Sequence, residues 1–387
     1  MRILSVHNYY KIRGGEDESC KSEKSLLREM GHLVDEYEKD NISIPSYRSW
    51  QLATQTIWSQ ESYQAVRQKL QHQPYDVVHV QNSFPLISPS VYYAAQAEGV
   101  PVIQTIRNYR LLCPNALFFR QGKVCEDCLN KAIPWPGIIH SCYRNNRLAS
   151  GITASMISIH RLLKTWDRKV DKYIALTHFA RNKLIQGGLP ANKIIVKPNF
   201  VNPDPGVGHG KGQFALYVGR LSVEKGLDTL LSAWDKLQSP FPLRIVGDGP
   251  LSELVLDKIK ESPHISWLGR KSIDEVHQLM GEASFLIFPS KWYETFGRVA
   301  IEAFAKGTPV IASQIGAIAE LVEHKRTGLQ FQPGDSLDLA EQVEWALSHP
   351  EELQQMRLEV RQEFEAKYTA RANYQQLIEI YRMAANN

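Results

Sequence analysis

From end to end of this 387-residue chain, apolar β-branched runs alternate with stretches of helical periodicity. "RILSVH", "YDVVHVQ", "VPVIQTI", "DKYIALT" and "NKIIVKPN" read as buried strands in the first half. After "NPDPGVGHGKGQ" the rhythm restarts with "FALYVGRL", "FPLRIVGDG", "ISWLGR", "SFLIFPS" and "PVIASQ", each followed by an amphipathic stretch. Strands that alternate with helices form parallel sheets covered on both faces, because the crossover helices have to lie on those faces. The expected fold class is therefore α/β, with two doubly wound domains. Residues 202–213, with two Pro, four Gly and few apolar side chains, are the expected linker. The domain reading is 1–204, then 205–367, with 368–387 as a C-terminal helix packing back on the first domain. Ligands of such sheets bind at the carboxyl ends of the strands, which directs attention to the loops that follow them.

Composition fits this picture and excludes others. Hydrophobic content of 43% with 22% charged residues is that of a globular protein, not a disordered or fibrous one. No apolar run approaches the roughly 18 residues needed to span a bilayer. "MRILSVHNYY" has no apolar core or cleavage site of a signal peptide, so a cytoplasmic location is expected. Charge is uneven. Residues 1–200 carry 26 Lys and Arg against 16 Asp and Glu, and the remainder 19 against 25. A basic first half points to an anionic partner there, with ordinary surface variation as the alternative.

The densest chemistry lies in "YETFGRVAIEAFAKG", which begins at Tyr293 and sets Glu294 eight positions before Glu302. Thr295 reads as a helix N-cap, leaving the amides of Phe296, Gly297 and Arg298 as donors at the positive end of a helix. Such an end attracts anions. Eight helical residues rise about 12 Å, so the two acids are expected to grip opposite ends of one elongated, doubly phosphorylated ligand. Solvated surface charge is the alternative. Upstream, "YVGRLSVEKG" places Arg220 and Lys225 in a strand-to-helix loop, where two cations can neutralise a diphosphate. "YYKIRGGEDES", with Gly14 and Gly15 after the first strand, is a third glycine loop whose amides are candidates for phosphate or sugar; a simple tight turn reads as well.

In combination, "GRLSVEKG", "VGDGP", "PSKWYETFGRVAIEAFAKGTPVIAS" and "GLQFQPGD" resemble the retaining GT-B glycosyltransferases of the E-x7-E type, family 4-like, group 1. The resemblance covers nearly the whole chain and is strongest in the second half. It implies two Rossmann-like domains facing across a cleft, with a UDP- or GDP-linked sugar donor on the second and a saccharide acceptor on the first. It implies hexosyl transfer in cell-surface polysaccharide or glycolipid synthesis, with no catalytic metal. By resemblance, Arg220 and Lys225 bind the diphosphate, Glu294 the hexose and Glu302 the ribose. Phe296, Gly297 and Val299 supply backbone contacts, and Arg270 with Lys271 the base. The family usually has a His after "VPVIQTI"; here Arg107 and Asn108 stand at that loop, as candidates for the donor sugar or a phosphate.

Cys113, Cys125, Cys128 and Cys142 form C-x11-C-x2-C-x13-C within the insert 113–142. A structural zinc is the expected occupant, with His140 as a possible replacement ligand; free buried thiols and a disulfide are the alternatives. Residues 144–183 are strongly basic with interleaved apolar positions, which suits an acceptor on a lipid diphosphate at an anionic membrane face; a solvated helix reads equally well. The rival functions are a nucleotide-sugar epimerase or hydrolase on this architecture and, in a different class, a zinc-containing nucleic-acid-binding module. No nucleic-acid partner is expected, because the basic residues lack an aromatic platform.

Overall fold

A computed structural model describes residues 1–12 and 14–385, and the chain divides into two compact units. The first comprises 1–118, 125–199 and the C-terminal residues from 373; the second comprises Phe119–Val124 and Phe200–Ala372. Each is built on one six-stranded, wholly parallel sheet.

In the first unit the strands are β1 (Arg2–Tyr9), β2 (Leu33–Asp40), β3 (Val77–Asn82), β4 (Val102–Ile106), β5 (Lys172–Ala175) and β6 (Ile194–Val196). Their order is β2-β1-β3-β4-β5-β6, so the sheet reverses its winding between β1 and β3. β3 and β4 are buried at every position, the pattern of strands covered on both faces. β2 escapes the sequence reading because "LVDEYEKD" is an edge strand with a charged face. Its Glu36 and Glu38 pair with Lys24 of helix α1 (Gly15–Glu29) at 3.1 and 2.5 Å.

The second unit holds β7 (Ala215–Val218), β8 (Leu243–Val246), β9 (Ile265–Trp267), β10 (Phe285–Phe288), β11 (Val310–Ser313) and β12 (Gly328–Phe331). Their order is β9-β8-β7-β10-β11-β12, with the reversal between β7 and β10. Helix α3 (Leu227–Trp234) presents Leu227, Leu230, Leu231 and Trp234 to a core shared with Tyr217, Ile245, Phe285 and Ile311.

The Gly-rich stretch 202–213 is not the loose linker that its composition predicts. Backbone bonds tie Gly208 N to Lys306 O (2.9 Å), Gly210 N to Gly281 O (2.8 Å) and Gly212 N to Glu282 O (2.8 Å). A Cβ on Gly208 would sit 2.1 Å from the Gly281 Cα, so glycine here serves close backbone approach, not flexibility. Helix α6 (Ala370–Ala385) buries Leu377, Ile378, Ile380 and Tyr381 in the core of the first unit, beside Ile3, Val77, Ile103 and Ile174.

Candidate functional site

Doubly wound sheets hold ligands where the strand order reverses, because the loops leaving neighbouring strands there part to opposite faces and leave a crevice. In the second unit those loops follow β7 and β10. They carry Arg220 and Lys225 on one side and Glu294 on the other.

After β7 the chain turns through Arg220, which is exposed, into a single helical turn at Val223–Lys225 and then Gly226 at φ 70°. A Cβ on Gly226 would lie 1.8 Å from Pro289 O, so only glycine lets this loop close against the one after β10. A backbone bond from Lys291 N to Glu224 O (2.9 Å) and an ion pair from Lys291 to Asp228 (2.6 Å) fasten the two loops. The result brings Lys225 Nζ to 2.5 Å from Glu294 Oε1.

Glu294 is 7% exposed, and its Oε1 also accepts from Ser290 Oγ and Trp292 Nε1, both at 2.9 Å. The Lys225 ammonium lies 5.5 Å from the Trp292 ring centre. Three donors on one oxygen fix the rotamer of this carboxylate. Ser290 and Trp292 were not singled out from the sequence. Their only signal was their position two and four residues before Glu294 in "SKWYE".

The second glutamate is placed differently from the sequence expectation. Helix α4 runs Arg298–Ala305, and its N-cap is Gly297 at φ 112°, not Thr295. Tyr293–Gly297 is therefore not helical, and Glu302 lies one turn into the helix. The helical part of the Glu294–Glu302 interval rises only about 6 Å, not the full span expected. A cap at φ 112° favours a residue without Cβ, and the Phe-Gly pair supplies it. Glu302, 5% exposed, accepts from Arg298 Nε at 2.8 Å. Phe296 is buried and Val299 half-buried at the start of the same helix. Arg270, leaving β9, is exposed and pairs with Asp248 at 2.6 Å; Lys271 pairs with Glu275 one turn on.

In the first unit, Arg107 lies within the protein rather than on a surface. Its Nε and Nη2 donate to Gln81 Oε1 (3.0 and 2.9 Å) and its Nη1 to Asn199 Oδ1 (2.8 Å). Gln81 in turn binds Glu23, which pairs with the buried Lys197 at 3.1 Å. Asn108 Nδ2 donates to Glu16 Oε2 at 3.1 Å and to Tyr10 Oη at 3.2 Å. Gly14 N donates to Asp17 Oδ2 at 3.1 Å, so this amide of the glycine loop is spent inside the protein; Gly15 opens α1.

The four clustered cysteines do not form the zinc site expected of them. No disulfide joins the five cysteines, and among the described residues no group of three or more His, Cys, Asp or Glu side chains is disposed to hold a metal. Cys113 Sγ donates to Asn115 Oδ1 at 2.9 Å and Cys128 Sγ to Pro134 O at 3.8 Å. Burial, with Cys113, Cys142 and Cys125 nearby, pushes the Cys128 thiol up to about 12. Burial raises the Cys113 thiol as well, and this favours the thiol over the thiolate that a metal takes.

Two parallel sheets, each with a central strand reversal, define a doubly wound α/β protein of two units. The comparisons narrow that class. Residues 205–363 match the family described as glycosyl transferases group 1, and residues 27–205 match glycosyltransferase family 4. The chain belongs to the group 1, family 4-like glycosyltransferases. It is 34% identical over 201 residues to an uncharacterized glycosyltransferase of Methanocaldococcus jannaschii, a match covering 51% of this chain and 56% of that one. The chain spans from about a third to just over half of the curated relatives it matches. Its fold is that of Anabaena HepE in complex with UDP and glucose (TM-score 0.70, 18% identity, 98% of both chains). It is equally that of sucrose-phosphate synthase from Thermosynechococcus elongatus (TM-score 0.74, 17% identity, 98% of both chains). The architecture is GT-B.

Proposed function

We propose that this protein is a retaining hexosyltransferase that takes its sugar from a nucleotide diphosphate, UDP in the first instance, and passes it to a saccharide hydroxyl. The observation that carries this reading is the meeting of Lys225 and Glu294 at the strand reversal of the second unit. A buried carboxylate gripped by an ammonium, a hydroxyl and an indole is a preorganised acceptor for sugar hydroxyls. The lysine, with Arg220, supplies positive charge where a diphosphate leaves. Glu302, oriented by Arg298, takes the ribose hydroxyls. With both cations on the leaving group, a phosphate oxygen can accept the proton of the attacking hydroxyl on the face from which the diphosphate departs. Bond breaking and making on one face preserves the anomeric configuration, and the two cations do the charge neutralisation that this step requires.

The acceptor is proposed to be lipid-linked and met at an anionic membrane face. Helix α2 (Arg147–Leu162) turns Met156 and Ile157 into the core but leaves Leu148, Ile159 and Leu162 exposed on one stripe, beside Arg147 and Lys164. Apolar residues flanked by cations suit peripheral attachment. Among the described residues no helix is long and apolar enough to cross a membrane.

A thermal-shift screen against UDP-, GDP- and ADP-sugars tests the donor, followed by NMR of the product anomer. A UDP-sugar is expected to raise the melting temperature, and the product to keep the donor's configuration. No shift with any donor, or an inverted product, refutes the reading. Sedimentation with phosphatidylglycerol vesicles tests the membrane face, and a protein that stays in the supernatant refutes that part alone.

A further inference from the structure

The first unit has its own strand reversal, between β1 and β3, and the residues gathered there differ in kind from those of the second unit. Tyr10 follows β1, Glu16 is the second residue of α1, and Asn108 lies beyond β4. Glu16 Oε2 accepts from Tyr10 Oη (3.2 Å) and Asn108 Nδ2 (3.1 Å). Its other oxygen, Oε1, is buried and has no hydrogen-bond partner among the described residues. Nearby His7 is fully buried; its Nε2 is held by Asp17 Oδ1 at 2.8 Å, while its Nδ1 is likewise unpartnered. Two buried polar atoms without partners around one loop mark a place where folding left hydrogen-bonding capacity unused. Such groups are retained where a ligand completes them.

We propose that Glu16, oriented by Tyr10 and Asn108, is a hydroxyl-binding subsite at the strand reversal of the first unit, and that it takes a hydroxyl of the acceptor sugar. The inference rests on the transferase reading above for the word acceptor, but on the first unit alone for the site.

The chemistry favours a neutral hydroxyl over an anion. A carboxylate repels phosphate, and one amide of the glycine loop, Gly14 N, already donates to Asp17. One oxygen of Glu16 is filled by two fixed donors, so the group keeps a single unfilled acceptor in a fixed direction. A sugar hydroxyl both donates to such an oxygen and accepts from a neighbour. Burial raises the Glu16 carboxyl above its ordinary value, opposed by His7, the Asn108 hydrogen bond and Arg107. A carboxyl group so placed gains from a ligand donor.

The test uses the full-length protein and two ligands measured separately. Saturation-transfer NMR reads binding of methyl α-D-glucopyranoside, methyl α-D-galactopyranoside and methyl α-D-mannopyranoside; calorimetry reads UDP. The wild-type protein is expected to bind at least one glycoside. Glu16→Gln, which keeps size and replaces an acceptor oxygen by a donor, should weaken that glycoside at least tenfold and leave UDP affinity unchanged. Asn108→Ala should weaken it several-fold, guarding against a folding defect in the first variant, and retained UDP binding reports the fold of both. A wild-type protein that binds none of the glycosides, or variants that bind them unchanged, overturns the proposal. Failure of UDP to bind while a Glu16-dependent glycoside does would sink the donor reading and leave this one standing.

Discussion

The two sheets share parallel wiring and a central reversal, yet they solve the problem of buried charge in opposite ways. In the second unit, Lys225 with Glu294 and Arg298 with Glu302 are ion pairs at the strand ends, near enough to solvent for a ligand to join them. In the first unit the ions lie deeper. Glu23, Lys197, His79 and Arg107 form a fully enclosed network with Gln81, Asn199 and, through Lys197, Asn373 of α6 (2.9 Å). His79 Nδ1 also meets Tyr381 Oη of that helix at 2.7 Å. The same residue types are thus proposed to serve binding in one unit and form internal architecture in the other, depending on whether they stand by the strand-end loops or between strands and helix.

The sharpest way to break that contrast is to remove one ion from the enclosed network. Lys197→Ala leaves Glu23 buried without its cation and should destabilise the protein by about 3–5 kcal/mol, read from the denaturant midpoint. A loss under 1 kcal/mol would mean that water reaches the network. Lys225→Ala and Glu294→Ala are expected to do the reverse. Turnover should fall 10²–10³-fold, about 2.7–4 kcal/mol in the transition state, with the melting temperature nearly unchanged. If either variant keeps wild-type turnover, the ion pair is structural and the contrast disappears.

Acid separates the two units by a different route. Burial disfavours the His79 cation, with Glu23 opposing, and holds it at about 4 against an ordinary 6.5. Unfolded chains take up this proton first, so the contribution of neutral His79 is complete above pH 6.5 and is lost as pH falls from 6.5 toward 4. For Glu23, burial is outweighed by Lys197, His79 and Arg107, which bring it to about 2 against 4.5. Its contribution is present above pH 4.5 and disappears as pH falls toward 2. Melting temperature should therefore decline in two stages. His79→Gln should abolish the upper one, and an unchanged profile in that variant would place the titration elsewhere.

Smaller effects sharpen the picture. Glu302→Ala should weaken nucleotide binding about tenfold with turnover at saturation preserved, because ribose contacts change little between ground and transition states. Glu16→Gln should stabilise the protein by about 0.5–2 kcal/mol, as removal of an incompletely satisfied functional group commonly does. A destabilised variant would show that Glu16 is a structural residue.

Much of this was legible in one dimension. The alternation of "YDVVHV" and "SFLIFP" with helical patterns specified parallel sheets, because only strands covered on both faces read as continuous apolar runs. Glycines beside Arg220, Lys225 and Glu294 marked the loops that matter, since close backbone approach excludes a side chain. Other features were hidden for definite reasons. β2 is an edge strand whose charges find partners on α1, and an edge carries no continuous apolar signal. Thr295 has the chemistry of a cap, but the cap went to Gly297 because the chain enters α4 through a left-handed turn.

Residue identity settled which groups were available, and local pattern settled which element each would join. Tertiary structure alone decided that Arg107 would be enclosed by Gln81 and Asn199, that the glycines of 204–212 would serve packing rather than motion, and that the Cys113 and Cys128 thiols would donate to Asn115 and Pro134. It also decided that Trp292 would meet Glu294. Each of these depends on a partner distant in sequence or on a backbone angle that no periodicity encodes, and hydrogen bonds between such partners exist only once the sheets have brought them within about 3 Å.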